Sequence, residues 1–141
     1  ALADKLGEAG AEWLLGTWNG ADPDGQPITL TYGQEFDGQA GTVHMKSSEM
    51  EFKALIAVDP NTDEVRQFGI ASTGALMTGA WGDEGAGLAL EATWAMVDGT
   101  RQKLTYAHQW VDSNTMRVIV YDGPWWQNDT KKFEILFKRA S

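Results

Sequence analysis

From Thr17 onward the chain is cut into short segments by a series of turn signatures, each led by an aspartate. They are Asp22-Pro23-Asp24-Gly25, Asp37-Gly38, Asp59-Pro60-Asn61-Thr62-Asp63, Asp83-Glu84-Gly85, Asp98-Gly99, Asp112-Ser113-Asn114 and Asp122-Gly123-Pro124. Gly and Asn supply positive φ, Pro presets φ, and Asp side chains bond their own backbone two residues on. The turns recur near the spacing of roughly 8–12 residues that marks an all-β sandwich or barrel.

Between them apolar residues alternate. Ile28, Leu30 and Tyr32 share one face; so do Leu88, Leu90, Ala92, Trp94 and Met96. Leu104, Tyr106, His108 and Trp110 form a third set, followed by Met116, Val118 and Val120, and then Phe133, Ile135 and Phe137. The opposite faces carry Thr, Glu, Gln and Lys. A period of two with one wet face specifies antiparallel sheet. The reading is all-β with about nine strands. So many short strands must hide their edges, and connections this short favour a closed up-and-down barrel over a sandwich. No βαβ alternation occurs, which excludes the nucleotide-binding α/β folds.

Residues 1–12 read as a tail or helix end, because Gly7 and Gly10 interrupt a loose helical pattern of Leu2, Leu6, Trp13 and Leu14. A tight helical turn is predicted over Ala11–Leu15, stopping at Gly16, so that residues 13–141 form a single barrel domain with a short helical lead-in. The chain opens at Ala1 without a methionine. A preceding segment is therefore expected, either an upstream domain or a signal peptide cut after the small-x-small run Ala1-Leu2-Ala3. No apolar h-region is present, and the reading leans toward a soluble cytoplasmic protein over an exported one.

Charge narrows the partners. With 20 acidic against 11 basic residues the net charge is −9, which repels phosphates and anionic lipid, so nucleic acid is not an expected partner; no apolar run approaches the roughly 18 residues of a membrane span, so none is expected. Lys131, Lys132, Lys138 and Arg139 read as solvated charges on the last strand. The chain has no cysteine, which removes disulfide and thiolate chemistry.

At the start of the first strand, Gly16-Thr17-Trp18 followed by Gly20 resembles the Gly-x-Trp signature of lipocalin-like, calycin-type barrels. The run Ala57-Val58-Asp59-Pro60-Asn61-Thr62, the strand Val65–Ser72 and the closing strand Glu134-Ile135-Leu136-Phe137-Lys138-Arg139 are similar to a bacterial group of such domains of unassigned function. The resemblance implies a small-molecule binding barrel in which the tryptophan packs across a closed end. Trp13, Gly16, Trp18 and Gly20 then form the barrel-closing set. Related barrels with this opening bind haem through a histidine near the C-terminus; no histidine follows His108, so the haem alternative departs from the pattern and no cofactor is expected.

The chemical inventory is short. His44 and His108 are the two histidines, and no serine sits in a nucleophile-elbow motif, so no catalytic residue is assigned. Neither histidine has metal-ligand spacing, and no metal is expected. The glycine-rich run Gly79–Gly85 has no following helix and reads as a hairpin, not a phosphate loop. Trp94, Met96, Tyr106, His108, Trp110 and Met116 fall on inward faces, with Phe68 and Trp81 able to join them. A packed core and a ligand pocket both suit this set. The polar groups of His108 and Tyr106 on the same face, which need partners inside, incline the reading to a pocket. Trp125-Trp126 reads as a lid or a subunit contact. The expected function is a non-catalytic module for a small, mostly apolar ligand. Below it stand a structural or dimerising accessory domain, a haem barrel, and an enzyme pairing His108 with Glu35 or Glu91.

Overall fold

The computed structural model describes residues 1–83, 87–123 and 131–140. Ten antiparallel strands close into a barrel: β1 (Gly16–Ala21), β2 (Pro27–Glu35), β3 (Ala40–Ser47), β4 (Glu51–Val58), β5 (Val65–Ala71), β6 (Leu76–Asp83), β7 (Leu88–Ala95), β8 (Arg101–Asp112), β9 (Thr115–Tyr121) and β10 (Lys131–Arg139). Each strand pairs with its sequence neighbours, and β1 pairs with β10 to close the ring. The up-and-down topology is as the alternation predicts, but with ten strands where about nine were expected. The Val65–Ala71 and Leu76–Asp83 pair, rich in Gly and Ala, gives a weaker periodic signal than the rest.

The lead-in is a helix, α1 (Leu2–Glu8), followed by a 3₁₀ turn at Glu12–Leu14. It folds onto the barrel end that carries the β2–β3 and β4–β5 turns. Leu2 is buried, the amide of Ala3 donates to the carbonyl of Gly38 at 2.9 Å, and Lys5 pairs with Asp63. Among the described residues no helix is long and apolar enough to cross a membrane.

Of the residues expected to close the barrel, Trp18 is fully buried. Its indole N–H donates to the Leu14 carbonyl at 3.0 Å, and Trp13 meets it edge-on with ring centroids 6.4 Å apart. Arg139 lies over the Trp18 ring at 4.1 Å. The same guanidinium donates to the carbonyls of Trp13 at 2.7 Å, Leu15 at 2.9 Å and Ser113 at 3.1 Å. One side chain thus joins the lead-in, the β8–β9 turn and the last strand. Gly16 is required here: its φ is +121°, and a Cβ would stand 2.9 Å from Nη1 of Arg139. Gly20 follows Trp18 on the same strand.

Candidate functional site

Inward-facing side chains of β2–β10 leave a cavity of about 230 Å³ inside the barrel. Its walls are apolar: Leu30, Val43, Phe52, Leu90, Val118 and Val120, with Met45, Met50 and Met77 among them. The lining extends to Ile28 and Met50, toward the end of the barrel opposite α1. Ten strands enclose a wider interior than eight, which is why this core is not filled by side chains alone.

Period-two alternation on β8 brings Tyr106 and His108 inward together, and β7 brings Trp94 beside them. Tyr32 reaches across from β2, four strand-to-strand steps from β8 one way round the ring and six the other. Its hydroxyl lies 2.9 Å from Nε2 of His108. Nδ1 of His108 is 3.1 Å from the Tyr106 carbonyl and 3.2 Å from that of Leu88. Carbonyls only accept, so Nδ1 carries the hydrogen and Nε2 accepts from the Tyr32 O–H. Burial pushes the His108 pKa down to about 4, against the opposing pull of the two carbonyls, and the ring is neutral near pH 7. Burial also holds the Tyr32 phenol well above its ordinary range. Trp81 packs tilted on the His108 ring at 4.8 Å and edge-on to Tyr32 at 6.3 Å. These three rings form a partition. On its far side a second cavity of about 330 Å³ lies between α1, the 3₁₀ turn and the barrel rim, with Tyr32 lining both.

Two further hydrogen bonds orient the polar groups. The Trp94 indole N–H donates to the Tyr106 hydroxyl oxygen at 2.9 Å, and the Trp81 indole N–H donates to Oε1 of Gln67 at 2.9 Å. Gln67 is 2% exposed and lines the interior cavity. Among the described residues no charged side chain lines that cavity.

The sequence-derived candidates divide. Trp94, Tyr106 and His108 line the cavity, and Trp81 backs His108 from the other side. Met116 is fully buried in the packed core without lining the cavity. Three others are corrected. Met96 is 38% exposed, because β7 ends at Ala95 and the Asp98-Gly99 turn already begins at Met96. Trp110 is 57% exposed: it has the inward phase, but the β7–β8 ladder stops at Leu88↔His108 and a register shift follows between Trp110 and Asp112. Phe68 is 51% exposed because β5 takes the opposite phase, turning Gln67, Gly69 and Ala71 inward. The packing reason is Phe52 on β4, whose ring occupies the space over Gly69; a Cβ there would stand 2.3 Å from Phe52 Cζ.

Sequence reasoning placed Tyr32 on an inward face without assigning it a role, and it missed Gln67 and Phe52. The available signal was Gly69, a glycine inside a strand, which marks close approach by a neighbour. Among the described residues His108 is paired with Tyr32 and not with a carboxylate; Glu35 and Glu91 are exposed. The haem alternative does not fit, since both ring nitrogens of His108 are engaged. His44 pairs with Glu51 on the outer surface, and among the described residues no three His, Cys, Asp or Glu gather as a metal site. Trp125 and Trp126 lie outside the described residues.

No protein-family model matches the chain. No match is found among curated proteins. Among solved structures the chain is similar to a de novo designed fluorescence-activating β-barrel, at 17% identity over 94% of this chain and 98% of that one, with a TM-score of 0.41.

Proposed function

We propose that the chain is a non-catalytic, lipocalin-like binding module that holds a small, mostly apolar molecule inside the barrel. The observation that carries this reading is the unfilled interior, a cavity of about 230 Å³ walled by methionines and aromatic rings. Met and Trp make an adaptable apolar wall. A cavity of roughly 150 Å³ is enough to take up benzene, so this one accommodates a one- or two-ring molecule. The lipocalin-like assignment rests on the closed up-and-down topology and on Trp18, within Gly-x-Trp, lying beneath the arginine of the last strand. Ten strands in place of the usual eight make it a wider relative of that architecture.

Titration of the full chain with small aromatic compounds, followed by calorimetry, tests the reading. Saturable one-to-one binding that is lost in a cavity-filling Val118→Phe variant supports it. Absence of saturable binding by any compound of this size counts against it.

A second reading, an accessory domain that packs on another copy or an upstream partner, is favoured by one observation. Leu55, Phe68, Ile70 and Leu76 are each at least half exposed and lie beside one another on the outer faces of β4–β6. Sedimentation across a concentration series, with Phe68→Lys as the comparison, separates the two readings.

A further inference from the structure

Two tryptophans, Trp94 in the cavity wall and Trp81 behind it, determine which hydrogen-bonding groups face the interior. An indole N–H can only donate. Trp94 therefore uses the oxygen of the Tyr106 hydroxyl as an acceptor, and the Tyr106 hydrogen must go elsewhere. Trp81 likewise fixes the orientation of Gln67: Oε1 faces the indole, so the amide NH₂ points away from it. Neither the Tyr106 O–H nor the Gln67 NH₂ has a protein acceptor among the described residues, and both side chains line the same cavity. The main acceptors there are already engaged, Gln67 Oε1 by Trp81 and His108 Nε2 by Tyr32.

We propose that the cavity selects a neutral, apolar molecule bearing a hydrogen-bond acceptor such as a carbonyl oxygen, received by the Tyr106 hydroxyl and the Gln67 amide. The proposal rests on the reading of the cavity as a ligand site and adds the class of ligand. Buried donors need partners. A carbonyl compound offers both an acceptor, and takes the place of any water there without loss of hydrogen bonds. A hydrocarbon of the same shape displaces the water and leaves the donors unpaired, which carries a desolvation cost. A carboxylate would enter an interior that no cationic side chain lines among the described residues, which is costlier still.

The test uses three matched probes on the full chain by calorimetry: 2-acetylnaphthalene, 2-ethylnaphthalene and 2-naphthoate. The acetyl compound is expected to bind roughly five- to tenfold more tightly than the ethyl compound, as one neutral hydrogen bond warrants. The naphthoate is expected to bind most weakly. In Tyr106→Phe and Gln67→Leu the acetyl-to-ethyl ratio falls toward one while ethyl binding persists. The three-probe ranking in the unaltered protein remains decisive if either variant folds poorly. Equal or reversed acetyl and ethyl affinities, or a ratio unchanged in both variants, overturn the proposal but leave the cavity as a binding site. Tightest binding of the naphthoate overturns it in the same way. If none of the three binds saturably, the cavity reading falls and this proposal falls with it.

Discussion

The Tyr32 hydroxyl donates to Nε2 of His108 at 2.9 Å across the barrel lumen, joining β2 to β8. Because the other ring nitrogen donates to two carbonyls, this bond fits one tautomer of His108, and burial keeps the ring neutral. The partition it forms with Trp81 gives the interior cavity a floor, and the chemistry of the lumen follows from that neutrality.

Neutral burial of His108 makes stability depend on pH. Its folded pKa of about 4 lies below the ordinary value of 6.5, so between those limits the unfolded chain binds a proton that the folded chain does not. Stability is then fully present above about pH 6.5 and falls as pH drops toward 4, by about 3 kcal/mol in all. Urea denaturation at a series of pH values checks this. The slope between pH 4 and 6.5 should be present in the native protein and largely absent in His108→Gln, whatever the overall stability of that variant.

Removing the closing residues should cost stability and leave binding alone. Trp18→Ala opens a large void where a fully buried ring stood, and should cost about 3–5 kcal/mol. Arg139→Lys loses both the planar stack on Trp18 and the donors to three carbonyls, and should cost about 1–3 kcal/mol. Thermal melts and ligand titrations of the two variants are the measurement. A variant that keeps its melting temperature but loses binding would put the ligand at the closed end instead.

Gly69 is the position where a single methyl should reshape the cavity. A Cβ there falls within 2.3 Å of the Phe52 ring, which leans on Trp94 at 5.3 Å between centroids. Gly69→Ala must displace Phe52 into the lumen, at about 1–3 kcal/mol of overpacking strain. Ligand affinity should fall along with the melting temperature, in contrast to the Trp18 and Arg139 variants.

The barrel was legible because its signals are local and repeated. Aspartate-led turns and period-two runs such as Ile28-Leu30-Tyr32 define hairpins one at a time, and closure follows from the need to hide edges. Trp94, Tyr106 and His108 were legible for the same reason. What failed was phase and extent. β5 can turn either Phe68 and Ile70 or Gln67 and Gly69 inward, and hydrophobicity alone chooses the first pair. The choice is made by Phe52 on the neighbouring strand, a nonlocal contact that no window of sequence reports. Trp110 keeps the right phase but lies where the neighbouring ladder has already ended, and alternation does not say where a ladder ends. The role of Arg139 depends on three carbonyls, two of them more than 120 residues away in sequence.

The central claim, that the interior cavity is the ligand site, is tested most directly by the methionine methyl groups. The chain has five methionines. Met45, Met50 and Met77 line the cavity, Met116 is packed into the core away from it, and Met96 lies in an exposed turn. In a ¹³C-methyl-methionine NMR titration with 2-acetylnaphthalene, the resonances of Met45, Met50 and Met77 should shift together and saturate while Met96 stays fixed. Saturable shifts confined to Met96, or no saturating shift at Met45, Met50 and Met77, would contradict the account.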